Sequence, residues 1–412
     1  MPVVAKLTKH LRAMPINSPT STPTSGLSAA AVVIAGIVAA THVGKVSPAI
    51  PVLSTELGLD LAQAGWLLSL SQMAGMSAAV LVGMWADGFG LKRSMLLGLV
   101  SLGLLSGWGA LAESASQLLV IRAIEGAAIL MVIVPGPALI RRLVSSQHIG
   151  IALGFWGTFM PAGVATALLL GPSLMGHWGW AAWWTCLGVC ALVMAGVLAY
   201  LVPTARSAKS EPAHVFSRAD AWRRLRLVLQ TPRSWRIALA FGCYSGQWLV
   251  VIGFLPTVLQ HAGIGATALG TIVAAASGVN IIGNIAGGRL IQRGVPASRV
   301  LAIGFATMGA GAVVLFAGDN YSSVALQLTA AVVFSGVGGM IPGSLFSLAV
   351  KAAPSEDTIS TALGWTTQMS MLAQFITPPL AAALASAHGG WGLTWFLTLS
   401  LCALGLWLTR KA

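Results

Sequence analysis

The sequence predicts an all-α membrane protein in which twelve transmembrane helices form two pseudo-symmetric six-helix bundles. Three observations predict this architecture. Of the 412 residues, 56% are hydrophobic and only 8% are charged, whereas ordinary soluble domains carry about 25% charged residues. Twelve apolar runs are each long enough to cross a bilayer. Several positions of the first six runs recur in the last six, which indicates an internal duplication.

A spanning helix needs about 20 mostly apolar residues, because the hydrocarbon core offers no partner for open backbone groups. The predicted spans 1 to 12 are residues 27–50, 61–86, 94–112, 116–143, 149–172, 178–202, 235–260, 265–288, 297–317, 321–350, 358–386 and 391–409. They divide the chain into a disordered cytosolic tail (1–25), an N-terminal bundle (26–202), a basic cytosolic linker (203–234) and a C-terminal bundle (235–412).

The basic residues are distributed on one side of the predicted membrane. Threading the spans from a cytosolic N-terminus places every Lys and Arg on that side except Lys45 and Arg122, which lie inside spans. This positive-inside pattern predicts cytosolic termini in a bacterial inner membrane. Within the linker, the segment 217–230 is compatible with a topology-setting connection or with a basic amphipathic helix on the anionic inner leaflet.

The recurring positions keep a nearly constant offset between the halves. The offset is 205 across spans 1–2 and 7–8, and 204 around the turns that follow spans 2 and 8. The matched pairs are Pro51 with Pro256, Gly58 with Gly263, Gly65 with Gly270, Gly83 with Gly287, and Gly90 with Gly294. Loop insertions in one of two homologous halves produce a small drift of this kind.

Two motifs resemble signatures of the major facilitator superfamily. The turn after span 2 has Gly83, Ala86, Asp87, Gly90 and Lys92 at the family's spacing. Span 4 carries Arg122, Glu125 and Gly126 in the pattern R-x-x-Q-G, with Glu125 in place of glutamine. The stretch 253–259, followed by Gly263, is similar to the cyanate-porter and nitroimidazole-transporter branch.

The resemblance implies a substrate site near the midplane, between two bundles that rock to expose it to each side in turn. It also implies that the turn 83–93 latches the halves on the cytosolic side. The implied gating residues are Gly83, Asp87, Gly90, Lys92 and Arg93. The alternative is a solvated loop that simply follows the positive-inside pattern.

The charged residues inside the spans are the strongest site candidates. A Lys or Arg at the centre of a span costs about 2.5–3.5 kcal/mol on insertion scales, so it usually faces a cavity or a partner. The helical rise places Lys45 and His42 of span 1 at a similar depth to Arg122 and Glu125 of span 4. Because the resemblance implies that spans 1 and 4 are neighbours, we expect these four side chains to cluster.

The expected cluster is net positive when His42 is neutral, because one carboxylate cannot neutralise two fixed cations. Lys45, Arg122 and His42 are therefore candidate ligands for an anionic substrate. Glu125 and His42 are the candidate proton-coupling groups, since protonation of Glu125 would release a cation to hold the anion. The alternatives are a structural Arg122–Glu125 ion pair and a Lys45 that snorkels to the outer interface.

Polar and aromatic residues at helical spacing are further candidate substrate ligands. These candidates are Tyr244, Gln247, Trp248, Trp156, Asn280, Trp365 and Gln368. Packing or hydrogen bonding between helices is the alternative for each of them. A second group of tryptophans, near the outer ends of spans 6 and 12, is typical of an interfacial belt. Its members are Trp178, Trp180, Trp183, Trp184, Trp391 and Trp395.

The predicted function is secondary active transport of a small anionic or polar organic solute, by proton symport, in a monomer that needs no cofactor or metal. We expect the lipid bilayer and the solute as partners, and neither nucleic acid nor enzymatic activity. Gly44-Lys45 resembles the end of a phosphate loop, but Ala39 and Val46 replace residues that the loop requires. The alternatives are a proton-antiport efflux pump for lipophilic compounds and a non-transporting membrane sensor.

Overall fold

A computed structural model of the chain describes residues 23–145, 148–203, 218–259, 264–317 and 323–410. Within these ranges the regular structure is entirely helical. Most of the predicted disordered tail lies outside the described residues; its last three residues begin the first helix.

The helices occupy the predicted spans, but spans 1, 2, 4, 5 and 10 are each divided into two helices. Those of the N-terminal half are α1 (Pro23–Gly44), α2 (Ile50–Glu56), α3 (Leu61–Ser69), α4 (Met73–Phe89), α5 (Leu91–Gly109), α6 (Ala115–Ile133), α7 (Gly136–Leu143), α8 (Ile149–Trp156) and α9 (Phe159–Leu201). The linker contains α10 (Arg218–Leu229). Those of the C-terminal half are α11 (Pro232–Val258), α12 (Ala266–Gln292), α13 (Ala297–Phe316), α14 (Val324–Gly338), α15 (Met340–Ala352), α16 (Ile359–Ala387) and α17 (Thr394–Thr409).

Nine helical stretches in the described part of the chain are long and apolar enough to cross a membrane, so the protein is a multi-pass membrane protein. One of them, 152–201, covers predicted spans 5 and 6. These two spans meet at Gly179, where the backbone φ of +77° turns the chain. Predicted spans 2 and 3 are helical but are not among the nine, and α5 begins with the charged Lys92 and Arg93. The count of twelve therefore stays a prediction.

Two interruptions of the helices lie beside the candidate site. α1 ends at Gly44, because Pro48 has no N–H to donate to the Gly44 carbonyl, and a 3₁₀ turn at Ser47–Ala49 follows. α3 ends at Ser69, and a 3₁₀ turn at Leu70–Gln72 leads into α4. The last carbonyl groups of a helix have no intrahelical donor. Both breaks therefore present backbone oxygens to a side chain that can donate hydrogen bonds.

Equivalent residues of the two halves make equivalent close contacts near the predicted outer side. A Cβ added to Gly65 of α3 would lie 2.8 Å from Cα of Pro379 in α16. A Cβ added to Gly270 of α12 would lie 2.5 Å from Cγ of Pro172 in α9. Gly65 and Gly270 are partners in the sequence repeat, and both sites require a residue without a side chain. The halves thus pack against each other at this end through matched glycine–proline contacts.

Several hydrogen bonds also connect the halves, among them two shorter than 3 Å. Ser47 Oγ donates to the Gly253 carbonyl at 2.6 Å. Gln368 Nε2, a predicted substrate ligand, donates to the Met76 carbonyl at 2.8 Å. Gln368 therefore acts in this structure as a bridge between α16 and α4.

Candidate functional site

Arg122 joins the two helix breaks. Its Nε donates to the Leu67 carbonyl in the last turn of α3 at 3.1 Å. Its two terminal nitrogens donate to the carbonyls of His42, at 2.5 Å, and Val43, at 3.0 Å, in the last turn of α1. A cation is favoured at the negative end of a helix dipole. Arg122 therefore caps two helices at once from its position in α6.

Gly126 explains how α6 comes so close to the break in α3. A Cβ at this position would lie 2.5 Å from the Ser71 backbone oxygen in the 3₁₀ turn. The motif R-x-x-E-G thus has a structural reason at both ends. The arginine caps the broken helices, and the glycine lets the 3₁₀ turn lie directly against α6.

Glu125 lies between two cations. Its Oε1 accepts a hydrogen bond from Lys45 Nζ at 2.5 Å, and its Oε2 accepts one from Arg122 at 3.0 Å. His42 Nδ1 lies 3.9 Å from Oε1, and neither His42 ring nitrogen has a hydrogen-bond partner among the described residues. The structure therefore brings together the four residues that the sequence predicts to cluster, and leaves the imidazole beside the carboxylate without a bond.

The cluster is closed to solvent. The exposed fractions are 0% for His42 and Lys45, 1% for Glu125 and 2% for Arg122. With His42 neutral, the group carries one net positive charge, and an unbalanced buried charge costs several kcal/mol. An anion bound beside the cluster would balance this charge. A proton on Glu125 would break the ion pairs and free the Lys45 ammonium.

Three residues outside the predicted site complete the surroundings of Lys45. Ser106 Oγ of α5 accepts from Lys45 Nζ at 3.1 Å and donates to the Trp184 carbonyl at 2.8 Å. The Trp184 ring centroid lies 4.9 Å from Nζ, which is within cation–π range. Trp183 Nε1 donates to the Lys45 carbonyl at 3.2 Å.

The belt interpretation of the outer tryptophans is wrong for most of them. Trp180, Trp183, Trp184 and Trp391 are buried, with exposed fractions of 1–9%, and only Trp178 is largely exposed, at 69%. The inward-facing rings find partners inside the helix bundle rather than in lipid. Trp183 and Trp184 contact Lys45. The ring centroids of Trp391 and Phe254 are 4.7 Å apart. The i, i+4 spacing of Trp180 and Trp184 places them on one helix face, but it does not show whether that face points into the protein.

The C-terminal half contains a neutral polar group. Asn280 Nδ2 of α12 donates to Tyr244 Oη at 2.9 Å and to the Ser335 carbonyl at 2.8 Å. Trp248 Nε1 donates to Ser335 Oγ at 3.1 Å. Three predicted ligands, Tyr244, Asn280 and Trp248, are thus brought together around α14, and all three are buried.

Gln247 is also buried but belongs to a separate contact. Its Oε1 accepts from Cys402 Sγ at 3.1 Å, and its Nε2 has no hydrogen-bond partner among the described residues. An amide N–H left unbonded in the protein interior has a free donor that a ligand can use.

The remaining candidate ligands lie in aromatic contacts. Trp156 is buried against Phe159, with ring centroids 4.9 Å apart. Trp365 packs edge-on against Trp235, with centroids 4.7 Å apart, close to where α11 begins. These positions agree with the packing alternative that the sequence leaves open.

The candidate gating turn forms around a single glycine. Gly90 ends α4 with a φ of +106°, a conformation that side chains rarely adopt, and Gly294 repeats it with a φ of +87°. Lys92 Nζ donates to the carbonyls of Ala199, at 2.8 Å, and Val202, at 2.5 Å, at the end of α9. Arg93 is exposed. Gly83 and Asp87 lie in α4, and their side-chain surroundings lie outside the described part of the structure.

The fold matches that of transporters of known structure. A bacterial homologue of the human lysosomal transporter Spinster, solved in inward-facing unoccupied and occupied conformations, superposes with a TM-score of 0.73 in both. The sequence identities are 16% and 17%, and the match covers 95% of this chain and 93% of the other. At this identity the match defines the fold alone.

A family model supplies the sequence evidence. Residues 237–412 match the Major Facilitator Superfamily. The protein is therefore a multi-pass membrane protein with a transporter fold, and its C-terminal half carries the sequence pattern of this superfamily. The similarity to the cyanate-porter and nitroimidazole-transporter branch stays a prediction.

Two curated relatives match shorter segments. The methyl viologen resistance protein SmvA of Salmonella typhimurium (strain LT2) is 27% identical over 168 residues, which are 40% of this chain and 34% of SmvA. The multidrug export protein EmrB of Haemophilus influenzae is 30% identical over 139 residues, which are 32% of this chain and 26% of EmrB. The matches thus span about a third or less of the length of these relatives.

Proposed function

We propose that the whole chain is a secondary active transporter of the Major Facilitator Superfamily, with twelve spanning helices in two six-helix bundles and both termini in the cytosol of a bacterium. It moves a small anionic or polar organic solute across the inner membrane by alternating access, coupled to proton symport. The observation that carries this proposal is the buried Glu125 carboxylate, held between Lys45 and Arg122 beside the His42 ring, whose nitrogens have no hydrogen-bond partner among the residues that the structure describes.

Charge balance favours symport of a proton with an anion. The empty cluster has two cations and one carboxylate, and therefore one net positive charge. When a proton neutralises Glu125 and a monovalent anion binds, the loaded cluster again has one net positive charge. The carrier then moves its helices with the same buried charge in both states. The electrostatic cost of burial is therefore similar in both states.

Each residue of the cluster has a distinct role in this mechanism. His42 passes the proton to Glu125, because its ring lies 3.9 Å from Oε1 and has both nitrogens available. Protonated Glu125 releases the Lys45 ammonium, which keeps Ser106 and Trp184 as partners and attracts the anion. Arg122 holds α1 and α3 in place, and its planar fork suits a carboxylate if it too is released.

The C-terminal half contributes neutral ligands to the solute. Gln247 offers an unbonded amide N–H, and Tyr244 and Asn280 offer a hydroxyl and an amide that can exchange partners. Alternating access exposes these groups to each side in turn. The turn 83–93 latches the cytosolic side, with Asp87 as its acidic residue and Lys92 fixing it to the end of α9.

The test is uptake into proteoliposomes under an imposed pH gradient, acidic outside, with a panel of small radiolabelled carboxylates. We expect gradient-dependent accumulation of at least one carboxylate and its loss in Glu125→Gln. Lys45→Met/Glu125→Gln is the matched variant, since it removes the partner cation together with the carboxylate. Proton-driven accumulation that persists in a folded Glu125→Gln protein would reject Glu125 as the coupling group.

A proton-antiport efflux pump for lipophilic compounds is the second candidate, and the similarity of the chain to a methyl viologen resistance protein and a multidrug export protein favours it. A lipophilic cation would raise the buried cluster to two net positive charges, one more than in the loaded symport state, and the cost of burial rises with the unbalanced charge. The same proteoliposomes separate the two functions. If cations such as methyl viologen are transported against the proton flow and no carboxylate competes, the efflux function replaces symport.

A further inference from the structure

The linker helix α10 has two different faces. Val228 is fully buried against the body of the protein, and α10 contacts both α11 and α16. Trp235 Nε1 in the first turn of α11 donates to the Leu229 carbonyl at 2.8 Å, which fixes the C-terminal end of α10. The helix is therefore held at the ends of two membrane-spanning helices, at the level where a bilayer surface lies.

The face of α10 next to Val228 lines an open groove of about 550 Å³. Trp222, Leu225 and Leu229 form one side at i, i+3 and i+7 spacing, and Arg226 lies beside them. Trp222 is 69% exposed, and Arg226 is also exposed. A tryptophan and two leucines beside an arginine combine an apolar wall with a cation, which is the chemistry of a membrane–water interface.

The charge around this groove is strongly positive. The segment 218–229 has four arginines and one aspartate. The Asp220 Oδ1 atom lies 3.7 Å from Arg223 Nε. The first turn of α11 adds Arg233 and Arg236, both exposed. Anionic lipids attract basic segments of this kind, and each basic residue adds to the free energy of binding.

We propose that the groove on α10 is a binding site for an anionic phospholipid, with Arg226 holding the phosphate and Trp222, Leu225 and Leu229 contacting the upper part of the acyl chain. The apolar wall selects a lipid over a soluble phosphate, and the arginine selects an anionic headgroup over a zwitterionic one. The bound lipid stabilises α10 against α11 and α16. This site is independent of the transported solute.

Native mass spectrometry of the purified full chain tests the proposal. The detergent contains equimolar phosphatidylglycerol and phosphatidylcholine with identical acyl chains. The wild-type protein is expected to retain phosphatidylglycerol preferentially. Arg226→Gln is expected to lower that retention about fivefold without affecting phosphatidylcholine, since one basic group is removed from an anionic contact. Arg226→Lys keeps the charge and is expected to retain most of the preference.

Arg141→Gln is the matched control, because Arg141 is an exposed cation at the end of α7, outside this groove. It is expected to bind phosphatidylglycerol like the wild type. Equal retention of the two lipids by the wild type would overturn the proposal, and so would equal losses in Arg226→Gln and Arg141→Gln. In that case the basic face would be available to a partner other than lipid.

Discussion

The two halves of the chain share a backbone frame but differ in the chemistry of their polar centres. The N-terminal half buries two cations and a carboxylate, whereas the polar group around Asn280 in the C-terminal half is neutral. The offset of 205 pairs His42 with Gln247 and Lys45 with Val250. One polar position is thus preserved in neutral form, and the lysine position has become apolar.

This difference indicates that the two homologous halves have different functions. The half with titratable side chains can respond to protons, and the half with neutral amide and phenol groups can recognise a solute at any pH. His42 and Gln247 share a further property, since each is fully buried and has at least one nitrogen without a hydrogen-bond partner in the described part of the chain. A buried unsatisfied polar group costs about 1–3 kcal/mol. Equivalent positions of both halves bear this cost, which supports a role in ligand or proton binding.

The largest effect that distinguishes the halves is expected from Glu125→Gln. This change leaves Lys45 and Arg122 buried without a counter-ion, and the free energy of unfolding should fall by about 3–5 kcal/mol. Lys45→Met/Glu125→Gln should recover most of that loss, because Arg122 keeps its three carbonyl partners. SDS-induced unfolding in mixed micelles measures both. A Glu125→Gln protein as stable as the wild type would refute the ion-pair account.

A loss of stability of intermediate size is expected from alanine at Gly65 or at Gly270, and it should be the same in both halves. Gly65→Ala and Gly270→Ala each force a Cβ against a proline of the opposite half, and overpacking of this kind costs about 1–3 kcal/mol. Gly107→Ala is the matched control, since its Cβ meets nothing within 4 Å, and it should be neutral or slightly stabilising. The same unfolding assay applies. Loss of stability in only one of the two variants would show that the shared frame is not symmetric.

The smallest effect on stability is expected in the neutral polar group around Asn280 of the C-terminal half. Tyr244→Phe removes the hydroxyl that accepts from Asn280 Nδ2 at 2.9 Å and donates to Asn280 Oδ1 at 3.2 Å, while Nδ2 keeps its bond to the Ser335 carbonyl. The unfolding free energy should fall by about 0.5–1.5 kcal/mol, the usual contribution of a hydrogen-bonded hydroxyl. A loss as large as that of Glu125→Gln would remove the energetic distinction between the halves.

The charged cluster could be predicted from sequence because ionisable residues are rare in apolar spans. Lys45 and Arg122 stand out against their neighbours, and helical rise alone gives their depth. Ser106 and Trp184 could not be predicted in the same way. Serine and tryptophan are ordinary in membrane helices, and only the packing of α5 against α9 brings both to Lys45.

Two predicted aromatic ligands show that helical spacing alone does not identify a binding site. Trp156 and Trp365 have the spacing of ligands, yet they lie in ring contacts with Phe159 and Trp235. Spacing defines which face of a helix a residue occupies but not what lies opposite. The positions of the apolar spans, by contrast, were predictable from their length and apolarity. The breaks within them were not predicted, since the predicted spans 27–50 and 116–143 run across Pro48 and Pro135, where the structure interrupts the helices.

The central claim, that Glu125 takes up a proton with each anion, is tested most directly by proton movement. A transported carboxylate is added to weakly buffered proteoliposomes without an imposed gradient, and the external pH is recorded. The account predicts alkalinisation outside with the wild-type protein and none with Glu125→Gln. Carboxylate uptake by the wild type without any change in external pH would contradict it.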